Sequence, residues 1–128
     1  MDTRKRSVHR ERRKHPRYRL SGRPYVVLGA FKDQTGNLID ISEGGLAFYY
    51  KEGEGRLSFQ DRMDIFVLGG PVHLSDVQYT VVFDFPVKTS SFDKKKIRRC
   101  GIEFTGMRHE QRESLHDLIL RHGAGQAA

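Results

Sequence analysis

Two short groups of polar residues have types and spacing that suit the recognition of a flat, anionic ligand. In the first, Arg13 and Arg17 are four residues apart, so in an extended chain their guanidinium groups point to one side and can converge on one anion. A planar guanidinium forms paired hydrogen bonds with phosphate and with the O6 and N7 acceptors of guanine. Arg6 and Arg10 repeat this spacing in the same arginine-rich segment, so the pair taken alone is better explained as a solvated run of charge.

The second group is the segment from Asp40 to Gly45, with the sequence Asp-Ile-Ser-Glu-Gly-Gly, at a predicted junction between a strand and a turn. Asp40 and Ser42 are two residues apart and face the same side of an extended chain, where a carboxylate and a hydroxyl can accept the N–H groups of a base edge. Gly44 and Gly45 allow the backbone to turn with positive φ and leave room for a flat ligand. An ordinary turn, in which Asp and Ser bond their own backbone, explains the segment equally well.

The distribution of charge places the excess at one end of the 128-residue chain, whose net charge is +7. Residues 1–19 hold nine basic and two acidic side chains, whereas residues 20–128 hold 14 of each sign. A basic arm on a neutral body predicts an anionic partner, and nucleic acid, an anionic membrane surface and a phosphorylated small ligand all satisfy that description.

Composition also excludes several classes of protein. No apolar run approaches the ~20 residues that span a bilayer, so no transmembrane segment is predicted. Cys100 is the single cysteine, which excludes an intrachain disulfide and a multi-cysteine zinc site and makes a reducing cytoplasm the simplest location. No catalytic carboxylate pair, activated nucleophile or metal-ligand cluster stands out, so the sequence predicts neither an enzyme nor a metal or cofactor site.

The elements that must position these residues are mostly short strands. Residues 1–19 lack a periodic apolar pattern and predict a mobile arm. Strands are predicted at Pro24–Phe31, Asn37–Ile41, Leu46–Tyr50, Arg56–Phe59, Met63–Leu68, Val72–Phe85 and Ile97–Phe104, with a charged loop from Pro86 to Lys96. Alternation continues from Val77 through Tyr79 and Val81 to Phe83, and therefore favours a core position for Phe83. Cys100, Ile102 and Phe104 likewise share one face.

The end of the chain has the periodicity of a helix. Met107, Leu115, Leu118 and Ile119 form one apolar stripe between about Arg108 and His122, with Thr105 as a weak candidate for the N-cap. The fold class is therefore all-β with a terminal helix: a small antiparallel β-barrel of six to seven strands with a C-terminal α-helix. We expect a flexible basic extension at residues 1–10, the folded domain with its arm (11–20) at 11–122, and a frayed tail at 123–128.

The order of these features resembles the PilZ domain family over about Glu11 to His122. The resemblance is carried by Arg-Arg-x-x-x-Arg ending at Arg17, by Asp-x-Ser-x-x-Gly beginning at Asp40, and by a Gly-Ile-Glu-Phe strand from Gly101 that leads into the terminal helix. PilZ domains bind the bacterial second messenger cyclic di-GMP (c-di-GMP). The resemblance therefore implies a small β-barrel receptor for this ligand.

Family roles can be assigned to the matching positions, which are Arg12, Arg13, Arg17, Asp40, Ser42, Gly44 and Gly45. By resemblance, the arm arginines grip phosphate and guanine, Asp40 and Ser42 bond a guanine base, and the glycines form the turn beneath the ligand. In similar domains an arginine at the position of Arg12 accompanies two mutually stacked c-di-GMP molecules, and one molecule per chain is the alternative. Some members present a strand aromatic to the ligand, for which Phe83 is the best candidate.

The resemblance also implies a signalling mechanism, in which the ligand orders the arm and creates a surface that a downstream protein partner reads. The main alternative is a nonspecific nucleic-acid-binding module that grips phosphates with the arm. That alternative gives no role to Asp40 and Ser42, whose acidity and polarity would not help a phosphate backbone to bind.

Overall fold

The computed structural model describes residues 15–29, 34–53, 57–67 and 72–126. The predicted ligand residues Arg12 and Arg13, and the extension at residues 1–10, lie outside these ranges. Along the chain the elements are β1 (Tyr18–Leu20), β2 (Pro24–Leu28), β3 (Gln34–Ile41), β4 (Gly45–Lys51), β5 (Gln60–Val67), β6 (Val72–Thr89), β7 (Lys96–Phe104), α1 (His109–His122) and β8 (Gly123–Gln126).

The strands form one antiparallel sheet in the order β2-β5-β6-β7-β4-β3-β1-β8. An additional pairing between β2 and β3 closes six of them into a barrel, and β1 and β8 extend the sheet beyond β3. The predicted small antiparallel β-barrel with a C-terminal helix is therefore confirmed. No helix in the described ranges combines the length and apolar character needed to cross a bilayer.

The core lies inside the barrel and under the helix. In β4 the apolar side chains alternate, so that Leu46, Phe48 and Tyr50 point inward and are buried. From α1, Leu115 and Leu118 are fully buried in the same cluster. Helix α1 therefore covers part of the barrel with the apolar stripe that the sequence predicted.

Two segments at the chain ends are more ordered than predicted. We expected residues 1–19 to be a mobile arm, but Tyr18–Leu20 is a strand that pairs with β3 through Tyr18 and Ile41. We expected residues 123–128 to fray, but Gly123–Gln126 pairs with β1, with Leu20 opposite Gly123. Each short strand gains its hydrogen bonds from the other or from β3, which is a long-range effect that local sequence does not encode.

Other boundaries differ by a few residues. Strand β6 continues to Thr89, so the predicted loop from Pro86 shortens to residues 90–95 because Pro86 to Thr89 pair with β7. The N-cap of α1 is Arg108 and not Thr105, and the backbone N–H of Arg108 donates to Gln111 Oε1 at 2.9 Å. The first predicted strand ends at Leu28.

A buried ion-pair cluster joins three strands inside the barrel. Arg98 of β7 is 4% exposed, and its Nε donates to Asp84 Oδ1 of β6 at 2.8 Å. Tyr50 of β4 donates its hydroxyl to Asp84 Oδ2 at 2.6 Å, and Arg98 Nη1 donates to Glu52 Oε2 at 2.9 Å. Burial and the hydrogen bond to Asp84 raise the pKa of Tyr50. The buried charges are therefore paired, as a low-dielectric interior requires.

Candidate ligand-binding site

The arm and the motif segment meet through Arg17 and Asp40. Arg17 directly precedes β1. Because β1 pairs with β3 through Tyr18 and Ile41, Arg17 is brought close to Asp40 near the end of β3. Arg17 Nη1 lies 3.7 Å from Asp40 Oδ1, with side-chain exposures of 33% for the arginine and 11% for the aspartate. The sequence predicted this pair to act on one ligand, and the structure brings the two groups together on the outer face of the sheet.

Asp40 has an unusual environment for a carboxylate. Its Oδ1 is fully buried and accepts no hydrogen bond from the described residues, since the contact with Arg17 is an ion pair longer than a hydrogen bond. Buried acceptors are nearly always hydrogen-bonded, so an unsatisfied carboxylate oxygen is costly unless another group approaches it. Asp40 is therefore suited to accept N–H donors from a bound group.

Ser42 is engaged with its own turn. Its backbone N–H donates to the Gly45 carbonyl at 2.8 Å, and its Oγ accepts the N–H of Gly44 at 3.1 Å. The side chain is mostly buried. This is the geometry of an ordinary turn, which the sequence analysis considered as the alternative to a ligand-binding role. The Oγ of Ser42 still has one lone pair that can accept a hydrogen bond from another donor.

Close packing against backbone requires glycine at position 45, and neither glycine of the motif has positive φ. The prediction of positive φ at Gly44 and Gly45 is wrong, because among the described residues the glycines with positive φ are Gly22, Gly29 and Gly106. A Cβ at Gly45 would overlap the backbone carbonyl of Ile102 on β7. At Gly44 a Cβ would lie 3.1 Å from Cδ2 of His15, so the arm contacts the turn at this point.

Phe83 lies on the outer face of the barrel and not in the core. Strand β6 has a register shift between Val81 and Phe83, and the bulged residue Val82 is 65% exposed. The extra residue moves Phe83 to the opposite side of the sheet from Val81, where its ring lies against Gly101 and stacks on Phe85 with centroids 5.6 Å apart. The core position favoured by the alternation is therefore wrong.

Strand pairing places the site residues in one row. Asp40 pairs with Ala47, Ala47 pairs with Gly101, and Gly101 pairs with Phe83, across β3, β4, β7 and β6. Ala47 and Gly101 are small and buried, and the Phe83 ring covers Gly101, so the row has a carboxylate at one end and an aromatic ring at the other. A carboxylate beside a guanidinium can bind the edge of a flat polar group, and an aromatic ring can stack on its face.

One residue outside the predicted set also joins this site. His116 of α1 lies with its Nε2 2.6 Å from Glu43 Oε1, inside the motif segment. This hydrogen bond, with smaller effects of the nearby His15 and Arg112, lowers the pKa of Glu43. His116 was not among the predicted site residues, because nothing in the local sequence indicates that the helix returns to the Asp40–Gly45 turn.

The sequence and the fold both resemble those of known proteins. The PilZ domain model matches residues 11–121. The PilZ domain of Escherichia coli YcgR with c-di-GMP is similar at a TM-score of 0.64 and 14% identity, with 86% of this chain and 90% of that chain covered. The K. pneumonia MrkH–c-di-GMP complex is similar at a TM-score of 0.61 and 17% identity, with coverage of 84% and 51%.

The Bacillus subtilis inhibitor of motility (MotI/DgrA) has a TM-score of 0.56 and 20% identity, with 86% of this chain and 50% of that chain covered. The chain thus spans about half the length of the MrkH and MotI structures. No curated protein matches it. Because the family model matches most of the sequence and the solved structures have the same fold, the chain belongs to the PilZ domain family.

Proposed function

We propose that this chain is a receptor for c-di-GMP, which it binds on the outer face of the barrel between the arm and the Asp40–Gly45 turn. The observation that carries the proposal is the buried Asp40 Oδ1, which accepts no hydrogen bond in the described structure and lies 3.7 Å from the partly exposed Arg17 guanidinium. A guanine base offers N–H donors to the carboxylate and acceptors to the arginine. Two solved relatives of this fold are c-di-GMP complexes.

The remaining motif residues complete the proposed contacts. Arg13 and Arg12, which lie outside the described residues, would bind phosphate and guanine together with Arg17. Ser42 would support the guanine on Asp40, and Gly44 and Gly45 would keep the turn low beneath it. Phe83 would stack on a base at the far end of the row. We further propose two mutually stacked ligand molecules per chain, with Arg12 contacting the second.

We infer that binding changes the arm and not the barrel. The arm contributes cations that repel one another, and a ligand with two phosphates offsets that repulsion and fixes the arm against the turn that His15 already contacts. The ordered arm is the surface that a downstream protein partner would read. The receptor acts without turnover and in the cytoplasm, where a second messenger is available.

Calorimetric titration with c-di-GMP tests the proposal. Arg17→Ala and Asp40→Asn each remove a charge-assisted contact, so each should weaken affinity about 10- to 150-fold. Arg62→Ala is the matched control, because Arg62 pairs with Asp76 on the surface, in a strand that does not pair with β3 or β4. Wild-type affinity in Arg17→Ala would overturn the assignment.

The same titration separates the competing function. A nonspecific nucleic-acid module would bind unrelated oligonucleotides about as well as c-di-GMP, with a steep salt dependence and no effect of Asp40→Asn. Binding of one ligand per chain by the wild type, or of two by Arg12→Ala, would contradict the proposed role of Arg12. Recovery of intact c-di-GMP after prolonged incubation would show binding without turnover.

A further inference from the structure

The loop between β6 and β7 holds an aromatic ring away from the protein. Phe92 is 91% exposed, more than any other large hydrophobic residue in the described ranges. The loop closes without this ring: Ser90 N–H donates to the Lys95 carbonyl at 2.7 Å, and Lys94 N–H donates to the Ser90 carbonyl at 2.9 Å. Lys51 Nζ lies over the ring, 6.0 Å from its centroid. Phe92 therefore contributes no burial to the fold.

Residues 87–96, which we name the basic hairpin tip, are also positively charged. The tip contains four exposed lysines and a single acidic residue, Asp93. Asp93 is already paired, because Lys51 Nζ at the end of β4 lies 2.8 Å from its Oδ2 and the backbone N–H of Lys95 donates to Oδ1. No ion pair joins any of these four lysines to another described residue; they are Lys88, Lys94, Lys95 and Lys96.

The apolar surface does not stop at Phe92. Val87 in the tip and Phe85 just before it are 44% and 45% exposed. Exposed apolar side chains interspersed along the chain with unpaired cations indicate a contact surface. The phosphates of a nucleic acid duplex would satisfy the lysines but leave the phenyl ring without a partner, because the bases are stacked on one another. A single strand could stack a base on the ring but offers nothing to the aliphatic side chain of Val87. An anionic bilayer satisfies both, because its headgroups attract lysine and its interface accepts aromatic and aliphatic side chains.

We propose that the basic hairpin tip is a peripheral membrane-binding element that docks on anionic lipid, with Phe92 and Val87 entering the interface and the four lysines contacting the headgroups. None of the proposed ligand residues lies in the tip, although Phe85 just before it stacks on Phe83, and docking through the lysines, Val87 and Phe92 does not require c-di-GMP. The domain would then present its arm and ligand site near a membrane surface.

Co-sedimentation of the full chain with vesicles tests this docking. The chain should bind vesicles that contain phosphatidylglycerol, bind less as salt rises, and not bind pure phosphatidylcholine. Each lysine near an anionic surface contributes about fivefold to partitioning, so Lys94→Gln with Lys95→Gln should weaken it about 25-fold. Arg112→Gln with Arg121→Gln on α1 removes equal charge elsewhere and should have a much smaller effect.

Phe92 provides a direct reading of insertion, because the chain contains no tryptophan. Phe92→Trp should show a blue shift of its fluorescence on addition of anionic vesicles, whereas Leu120→Trp should not, although Leu120 is 84% exposed on α1. An unshifted Phe92→Trp spectrum, or vesicle binding unaffected by the lysine pair, would overturn the proposal. So would a loss of affinity for unrelated single-stranded or duplex DNA in the lysine pair variant as large as its loss of vesicle binding, which would mark the tip as a nucleic-acid contact. None of these outcomes bears on c-di-GMP affinity.

Discussion

The carboxylate of Glu43 and the imidazole of His116 are joined by a hydrogen bond of 2.6 Å between Oε1 and Nε2. This contact ties the motif turn that presents Ser42 to the C-terminal helix, across 73 residues of sequence. The side chains are 45% and 62% exposed, so solvent screens the pair and its contribution to stability is small.

The Glu43 contact should make a small part of the stability depend on pH. Because the hydrogen bond to His116 lowers the pKa of Glu43 below its usual 4.5, the contribution is complete above that value and is lost as the pH falls through the lowered pKa. Glu43→Gln should be less stable than wild type by at most ~1 kcal/mol at pH 7, and this difference should shrink as the pH falls below 4.5. Urea denaturation over a series of pH values measures this, and a difference that does not shrink at acidic pH would contradict it.

Gly45 should be needed for the fold in the absence of any ligand. A Cβ at Gly45 would overlap the backbone carbonyl of Ile102, so β4 and β7 would have to separate, and we expect Gly45→Ala to cost about 1–3 kcal/mol. Gly53→Ala is the control, because the nearest atom to its Cβ would be Gln34 Oε1 at 3.7 Å. Thermal denaturation without c-di-GMP decides the matter; equal melting temperatures for the two variants would show that Gly45 serves only the ligand.

The Arg98 cluster should be strongly sensitive to loss of one partner. Arg98→Ala leaves the Asp84 carboxylate, with a side chain 15% exposed, without its main counter-charge, and breaking such a buried pair costs about 3–5 kcal/mol. Arg99→Ala is the matched control, because Arg99 is adjacent to Arg98 in sequence but contacts the exposed Tyr49 ring on the outer face. Guanidinium denaturation of both variants should separate them clearly, and similar midpoints would refute a stabilising role for the cluster.

The sequence predicted the elements that local pattern controls. Alternating apolar residues such as Leu46 and Phe48 encode a strand with one buried face, and the stripe through Leu115 and Leu118 encodes the helix that covers the barrel. The pairing of β1 with β8 was not predicted, because strands of three and four residues carry too little pattern and depend on partners over 100 residues away.

The site was predicted in part, for a similar reason. Asp40 and Arg17 were found because their residue types and spacing match a motif, and the structure places them 3.7 Å apart. We expected Phe83 to point inward because the alternation of apolar residues does not reveal a bulge at Val82. The one extra residue of the bulge moves each following side chain to the other face of the sheet. His116 was missed because its role depends on where the helix docks.

The position of Phe83 leads to a prediction about ligand affinity. Its ring lies over Gly101 in the row that begins at Asp40, where it can stack on a base. Base–aromatic stacking is worth about 1–3 kcal/mol, so Phe83→Ala should weaken c-di-GMP binding about 5- to 150-fold. Phe59→Ala, which removes a ring 65% exposed before β5, should leave affinity unchanged. Calorimetric titration of both variants measures this, and wild-type affinity in Phe83→Ala would remove the ring from the binding site while leaving the roles of Arg17 and Asp40 intact.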